Sequence, residues 1–407
     1  MAETLSAPAG GPLAGMRVIE LAHIMAGPVC GLMLADLGAD VVKVEKLPGG
    51  DDSRRFLPPE IEGEPAAFMM MNRNKRGIAI DLKHADGKAV LRRLLGQSDV
   101  VIENYRKGTM ERLGLGYETL REDNPGLIYC EISGFGRSGP YAERGGFDLI
   151  AQGMSGLMSI TGEGAGRPPV KVGAPVTDIT AGILGALGVV AAYVKRLETG
   201  RGQRVDTSLF EAGIVHTYWQ SAIAFATGQS PGPMGSAHPL NAPYQAFETA
   251  DGWINVGAAN QANWLRLLDV LEAARLAEDA RFADNAARMA HLAELVETLT
   301  PYFATHTTAE WLDKLEAAGV PAGPVLSIRE MHQDPQALAR GVVTRVEHSR
   351  LGPVDTLGLP ITFSETPGEV AQGAPLYGEH TKEVLAEAGY TDGEISALIE
   401  AGAVEVA

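Results

Sequence analysis

Cysteine is scarce in this sequence. The 407 residues contain two, Cys30 and Cys130. Two thiols are too few for a disulfide framework, and neither has metal-ligand spacing with a histidine, so we expect no metal site. Cys30 falls in a predicted helix and Cys130 in a predicted strand, which favours packed core thiols over nucleophiles. The scarcity indicates a cytoplasmic, reducing environment.

Basic residues and long apolar runs are also limited. Lys and Arg number 34 against 51 Asp and Glu, for a formal net charge of −17. Nucleic acid requires a basic face, so we expect no nucleic-acid partner. Glycine and proline interrupt the apolar runs before the roughly 20 residues that span a bilayer, so we expect no membrane partner. Met1–Gly11 carries Glu3 and no basic segment before an apolar stretch, so we expect no signal peptide.

Several motifs of common enzymes are missing. The first strand–helix turn, His23–Pro28, lacks G-x-G-x-x-G, and Pro28 removes an amide that would face a pyrophosphate. Glu45 does end the second strand where a ribose-binding acid would sit, but without the glycines the nicotinamide interpretation is weak. Neither H-E-x-x-H nor G-x-S-x-G occurs.

Strand-like and helix-like segments alternate through the first half of the chain. Apolar β-rich runs end at Leu21, Glu45, Leu82, Asn104 and Ile132, with helical patterns between them. This alternation predicts an α/β fold with an open, mainly parallel sheet covered by helices on both faces.

Later segments indicate a second, smaller α+β domain. Gly, Pro and Ser accumulate at 226–239, a predicted domain boundary, and Tyr244–Val256 is typical of a hairpin turned at Asp251-Gly252. The last helix is predicted to begin at a capping box, Thr391 with Glu394.

Asp178 stands at the start of a long apolar helix that we predict to reach Leu197. A carboxylate at this position is most often a helix N-cap. It could also be a nucleophile, held ionised by backbone N–H groups. Residue chemistry alone leaves both interpretations open, and they are compatible.

The sequence resembles the family III CoA-transferases from about Leu13 to Val404. The segments that carry the resemblance, in order, are Leu21–Pro28, Leu37–Glu45, Asn72–Arg76, Val101–Tyr105, Gly146–Asp148 and Gly378–Thr381. Asn72–Leu82, Gly235–His238 and Tyr244–Phe247 are most similar to the members that act on dicarboxylates with succinyl-CoA.

The resemblance implies a covalent mechanism at Asp178. Its carboxylate would attack an acyl-CoA donor, and CoA would then be held as an aspartyl thioester until a carboxylic, expected dicarboxylic, acid takes it. Neither a metal nor a permanently bound cofactor is implied, and CoA and acyl-CoA are substrates. The family positions that contact CoA fall on Ile24, Met25, Lys46, Lys83, Asn104, Tyr105 and Arg112. Those near the acyl group fall on Phe147, Asp148, Gly235, Ser236 and His238. Arg73 and Arg76 are further candidates for the second carboxylate of a dicarboxylate.

The resemblance also implies a Rossmann-like large domain built from both chain ends, a smaller middle domain and an interlocked homodimer. The expected bounds are 12–225 and 331–407 for the large domain and 226–330 for the small one.

Two other functions stay open at this stage. An alpha-methylacyl-CoA racemase needs a second acid/base group, usually a histidine where this sequence has Phe147. A non-catalytic acyl-CoA-binding protein would keep the fold without needing Asp178.

Overall fold

The computed structural model describes residues 10–407, so the expectation for Met1–Gly11 falls mostly outside the described residues. The strands are β1 (Arg17–Leu21), β2 (Asp40–Lys46), β3 (Glu60–Ile61), β4 (Glu64–Pro65), β5 (Lys75–Ile80), β6 (Val100–Glu103), β7 (Ile128–Ser133), β8 (Arg204–Ser208), β9 (Tyr244–Glu248), β10 (Trp253–Gly257), β11 (Ala322–Pro324), β12 (Val343–His348), β13 (Gly352–Leu357) and β14 (Val404–Glu405).

The helices follow the same chain order. They are α1 (Ala26–Asp36), α2 (Ala66–Asn72), α3 (Ala85–Gly96), α4 (Thr109–Arg112), α5 (Tyr117–Asp123), α6 (Asp148–Met154), α7 (Leu157–Ile160), α8 (Val176–Thr199), α9 (Leu209–Val215), α10 (Tyr218–Thr227), α11 (Gln261–Val270), α12 (Asn285–Ala290), α13 (Leu292–Phe303), α14 (Thr308–Ala317), α15 (Ile328–Met331), α16 (Pro335–Ala339), α17 (Thr381–Glu387) and α18 (Asp392–Glu400). Two short 3-10 turns occupy Asp52–Arg55 and Ala274–Ala277.

The chain divides into two compact units. Unit 1 contains the described residues up to Gly156 together with Val172–His216 and Pro335–Ala407, and unit 2 contains Leu157–Lys171 and Thr217–Asp334. The sequence-based domain bounds stay a prediction beside this division.

A seven-stranded sheet forms the centre of unit 1, in the order β14-β5-β2-β1-β6-β7-β8. Every neighbouring pair is parallel except β14 with β5. The predicted α/β class with a mainly parallel sheet is therefore confirmed. In such a sheet, the loops after the strands gather side chains from several segments at one edge.

Alternating residues of the central strands β1, β2, β6 and β7 enter different apolar cores. Val18 and Val41 belong to a cluster with Cys30 of α1 and Ala181 of α8, whereas Ile19 belongs to a cluster that includes residues of α3 and α17. Since successive strand residues face opposite sides, helices cover both faces of the sheet.

Helix α8 is the longest helix of the described chain and lies in the first of these cores. Its 24 residues are long and apolar enough to cross a membrane by length and composition, so the sequence-based expectation that no segment meets that test is wrong. One face is buried in the core through residues such as Ala181, Ala186 and Val189. Burial of this face accounts for part of the apolar composition without a bilayer.

Both cysteines are buried core thiols, as predicted, and neither forms a disulfide. The hydrogen bond between Cys30 and Cys130, together with burial, raises the pKa of the Cys30 thiol. A protonated, enclosed thiol is a poor nucleophile.

Unit 2 combines a three-stranded antiparallel sheet, β11-β10-β9, with helices. The predicted hairpin is present, because β9 and β10 pair on either side of Asp251-Gly252. Its core combines aliphatic and aromatic residues, and the Phe247 and Phe303 rings stack there with centroids 4.5 Å apart.

Candidate active site

Asp178 is the third residue of α8 and does not cap that helix. Pro175 occupies the N-cap position, and the free amide of Thr177 donates to Asp148 Oδ1 at 3.0 Å. The Thr177 hydroxyl donates to the same oxygen at 2.8 Å. Asp148, from the start of α6, therefore satisfies a helix-end donor that a cap residue would otherwise bind. The N-cap interpretation of Asp178 is wrong.

The Asp178 carboxylate forms no hydrogen bond or ion pair within residues 10–407, and its side chain is only partly exposed. Burial, and after it the negative charge of Asp148, raise the pKa of Asp178 to about 7. The expectation that backbone amides keep this carboxylate ionised is therefore also wrong. A carboxylate without partners in a partly desolvated place is free to react with a ligand.

The start of α8 lies beside the start of α1. A Cβ added at Gly182 would lie 2.6 Å from the carbonyl oxygen of Ala26 and 2.7 Å from the Val29 side chain, so only glycine permits this approach. Asp178 precedes Gly182 by one helical turn, about 6 Å along the axis. The carboxylate therefore stands near the loop that enters α1.

That loop carries two of the predicted CoA-contacting residues, Ile24 and Met25. Asn104, which follows β6, accepts from the His23 amide at 2.9 Å and donates to the His23 carbonyl at 2.8 Å. The rings of His23 and Tyr105 lie 5.3 Å apart. Four predicted residues thus meet at one edge of the sheet, together with His23, which lies in the segment Leu21–Pro28 but was not among the predicted site residues.

Three predicted basic residues lie at or just after the ends of strands or helices of the same unit. Lys46, 42% exposed at its side chain, pairs with Asp52 at 2.7 Å. Arg112 is exposed and donates to the Thr109 hydroxyl at 2.9 Å. The exposed Lys83 side chain makes no ion pair with any residue in the described range. Each cation has a solvent-facing end that an anionic ligand could reach.

Three other charged candidates are occupied by protein groups. Glu45 binds the Arg54 guanidinium through both oxygens at 2.7 Å, so it is not a free ribose-binding acid. Arg73 is buried against Asp36 at 2.6 Å.

Arg76 binds three carboxylates, those of Asp40, Glu383 and Glu387. The suggestion that Arg73 or Arg76 holds a substrate carboxylate is therefore wrong for this structure.

The remaining predicted residues divide between the two units. Phe147 immediately precedes α6 in unit 1, with 69% of its side chain exposed, and Asp148 is engaged by Thr177 as described. Gly235, Ser236 and His238 lie in unit 2. Gly235 has a φ of 63° and donates to the Gly162 carbonyl at 2.8 Å.

Ser236 and His238 are both tied to the first strand of the unit 2 sheet. The Ser236 hydroxyl accepts from the Ala246 amide at 3.0 Å. The His238 amide donates to the Tyr244 carbonyl at 3.0 Å, and the rings of His238 and Tyr244 lie 5.1 Å apart.

A family model described as CoA-transferase family III matches residues 13–381. Succinate–glutarate CoA-transferase of Agrobacterium fabrum is 42% identical over 92% of this chain and 95% of its own length. Succinyl-CoA:mesaconate CoA-transferase of Haloarcula hispanica is 39% identical over 94% of this chain and 98% of its own. Among solved structures, a CAIB/BAIF family protein from Brucella suis is similar with a TM-score of 0.84 and 40% identity, over 93% of this chain and all of that one.

Proposed function

Because the chain belongs to CoA-transferase family III and is a CoA-transferase, we propose that it moves CoA from succinyl-CoA to a second dicarboxylic acid through a covalent intermediate on Asp178. The named relatives support the substrate class, since the Agrobacterium fabrum protein carries glutarate in its name and the Haloarcula hispanica protein carries mesaconate.

The single observation that carries the assignment of Asp178 is its unpartnered carboxylate at the start of α8. Its pKa of about 7 makes the oxygen more basic than an ordinary aspartate, and nucleophilicity rises with basicity. Near neutral pH a substantial fraction is still ionised. The Asp178 carboxylate is thus both basic enough to attack a thioester and free of protein partners, whereas Asp148 accepts hydrogen bonds from Thr177.

The chemistry then follows in balanced steps. A carboxylate oxygen of Asp178 bonds to the thioester carbonyl of the donor, the carbon–sulfur bond breaks, and CoA leaves as a thiolate. The thiolate attacks the aspartyl carbonyl of the resulting mixed anhydride and releases the donor acid. The aspartyl-CoA thioester that remains is attacked by the acceptor carboxylate, and the same steps run in reverse. Each step exchanges acyl groups of similar activation, so no energy source is consumed.

The CoA moiety is proposed to bind along the sheet edge that contains Ile24, Met25, Asn104 and Tyr105. Lys46, Lys83 and Arg112 are proposed to bind its phosphates, because exposed cations can exchange a protein or solvent contact for a charged ligand. Ile24 and Tyr105 offer the apolar and aromatic contacts that suit adenine or pantetheine.

For the acids, the proposed contacts are Phe147, Asp148, Gly235, Ser236 and His238. His238 remains the proposed partner of the second carboxylate of a dicarboxylate substrate, since Arg73 and Arg76 are already paired with Asp and Glu side chains of the protein. Phe147 carries no titratable group, which favours transfer over racemisation at this position.

A homodimer is part of the proposal. Helix α8 exposes Ile183, Leu187, Val194 and Leu197, which are spaced by three, four and seven residues and so share one face. A helical stripe of large exposed apolar side chains is typical of a surface that another protein covers.

A panel of free acids tests the substrate assignment. The full-length protein is incubated with succinyl-CoA and one acid at a time, and new acyl-CoA species are quantified by mass spectrometry. We expect glutarate or another dicarboxylate to give the largest kcat/KM, with a monocarboxylate of equal chain length as the matched control. Equal or greater turnover of the monocarboxylate would contradict a dicarboxylate acceptor.

A further inference from the structure

Ile24 adopts a backbone conformation that its side chain disfavours. Its φ is 67°, in the left-handed region, where branching at Cβ causes steric conflict. Three other non-glycine residues in the described range have positive φ, Glu62, Asn74 and Glu272, and none is β-branched. A conformation of this kind persists only where the surroundings hold it, and it is common at ligand sites.

The side chain that holds Ile24 belongs to Asp51, in the loop after β2. The Ile24 amide donates to Asp51 Oδ1 at 3.0 Å and lies 3.3 Å from Oδ2. Oδ1 also accepts from the amide of Ser53 at 2.9 Å and from its hydroxyl at 2.8 Å. One buried carboxylate therefore connects the loop before α1 with the loop after β2.

Asp51 is itself held by a chain of buried charges. Lys43 Nζ lies 2.8 Å from Asp51 Oδ2 and 2.9 Å from Glu20 Oε1, and Lys75 Nζ lies 2.7 Å from Glu20 Oε2. All four side chains are fully buried. Burial alone would raise the pKa of Asp51, but the ammonium of Lys43 and the hydrogen bonds hold it below its usual range. The carboxylate is thus ionised and fixed in direction.

The loop before α1 receives further support from the same region. Lys43 also donates to the carbonyl of Ala22 at 2.9 Å, and Asn104 fixes both backbone polar groups of His23. Three consecutive residues ahead of Met25 are therefore held by side chains from other strands and loops. Such support is what keeps a binding loop in its bound form before the ligand arrives.

We propose that Asp51 is a positioning residue for CoA binding, which holds Ile24 in its left-handed conformation so that the loop before α1 is preformed. The inference rests on the proposed CoA site. Asp51 acts through Ile24 and does not itself contact the reacting atoms, so its loss should weaken CoA binding and leave the covalent chemistry in place.

The test measures the Kd of free CoA by titration calorimetry and the unfolding midpoint, both on the full-length protein. In Asp51→Asn an NH2 group replaces one carboxylate oxygen. Either the Lys43 ammonium or the Ile24 amide then faces a hydrogen-bond donor where it had an acceptor. If the competent loop falls to about a tenth of the population, the Kd rises about tenfold. Asp36→Asn is the matched control, because Asp36 is also buried and paired with a cation, Arg73, but has no bond to this loop. It should lower the unfolding midpoint and leave the Kd unchanged.

A double-mutant cycle with Ile24→Gly isolates the conformational cause. Glycine adopts positive φ without strain, so Asp51→Asn should raise the Kd by a smaller factor, about twofold, in the Ile24→Gly background. If Asp51→Asn does not fold, Asp51→Ser takes its place in both backgrounds, since it removes the charge without facing a new amide donor toward Lys43.

The outcomes distinguish a failure of the positioning role of Asp51 from a failure of the proposed CoA site. If Lys46→Ala and Arg112→Ala raise the Kd and Asp51→Asn does not, the positioning role is wrong and the CoA site stands. An equal rise in Asp36→Asn, or an undiminished effect of Asp51→Asn in the Ile24→Gly background, would also overturn it. If none of these variants changes the Kd, the CoA site itself is misplaced.

Discussion

Two sets of carboxylates in unit 1 have different surroundings. In the β1–β2 region, Glu20 and Asp51 are each within 3 Å of a lysine ammonium, and their charges alternate with those of Lys43 and Lys75. At the start of α8, the Asp178 carboxylate is paired with no cation or hydrogen-bond donor within the described chain, and the neighbouring charge that raises its pKa is that of a second carboxylate, Asp148.

This difference indicates what each group can do. A paired buried charge is costly to disturb and therefore fixes the backbone around it. A carboxylate without a partner is destabilising when ionised, and that unused interaction capacity is available to a substrate. The paired carboxylates are therefore expected to be structural, and the unpaired carboxylate of Asp178 is the one proposed to react.

The largest expected effect comes from removing the unpaired carboxylate. Asp178→Ala should lower kcat by about 10⁴-fold or more, as loss of a covalent nucleophile does. CoA binding should remain, because the proposed phosphate contacts are made by other residues. The measurement is transfer between succinyl-CoA and glutarate, with the Kd of CoA determined in parallel. Retention of more than a few per cent of turnover would contradict a nucleophilic Asp178.

The paired group should respond in stability. Glu20→Gln leaves Lys43 and Lys75 without their shared counter-charge, and breaking a buried pair in this way costs about 3–5 kcal/mol of unfolding free energy. Urea unfolding measures it. Asp178→Asn is the comparison, and it should not destabilise the protein at pH 8. Equal losses in the two variants would remove the distinction between the groups.

The unpaired state of Asp178 also predicts the direction in which folding stability changes with pH. The pKa of Asp178 is about 7 in the folded protein against 3.8 for an ordinary aspartate, so the folded state binds this proton more tightly and loses stability as pH rises through that interval. Asp178→Asn should therefore be more stable than wild type at pH 8, by about 1–2 kcal/mol after solvent screening, with no gain near pH 4.

Activity should follow the same titration. If the carboxylate is the nucleophile, kcat/KM for the donor should rise about tenfold per pH unit below 7 and level off above it. A profile that is flat between pH 5 and 7 would show that Asp178 is ionised throughout, contrary to its surroundings.

A smaller effect is expected at the residues proposed to bind the phosphates of CoA. Arg112→Ala should raise the KM for the CoA donor about tenfold, since a charged hydrogen bond contributes about 1.5–3 kcal/mol. The KM for the free acid should change little. Steady-state kinetics with each substrate varied in turn measures both, and Arg92→Ala, another exposed arginine of unit 1, is the matched control. Similar KM values in wild type and Arg112→Ala would mean that Arg112 does not bind the donor.

The sequence predicted those parts of the fold that have a local cause. The strands around Leu21, Glu45 and Ile132 are apolar runs, and the Thr391–Glu394 capping box is present because both partners lie within one helical turn. Strand β8 was not predicted, because the charged residues Arg204 and Asp206 interrupt its apolar pattern. It is an edge strand of the sheet, and its Arg204 pairs with Glu131 of β7.

In the candidate site, too, the features without a local cause could not be predicted from the sequence. The resemblance pointed to Asp178, but the bond from the Thr177 amide to Asp148, which lies in a separate helix, could not be predicted from local sequence. The support of Ile24 by Asp51 depends on Lys43 and Glu20 from two strands. Side chains that come into contact only because their strands are neighbours in the sheet leave no local pattern in the sequence.

Trapping the intermediate tests the central claim most directly. The protein is incubated with succinyl-CoA alone, treated with hydroxylamine or borohydride, digested and mapped by mass spectrometry. The unpaired carboxylate at the start of α8 predicts one modified residue per site, Asp178, and no modification in Asp178→Asn. Modification of Cys30, Cys130 or another acid in place of Asp178 would contradict the account.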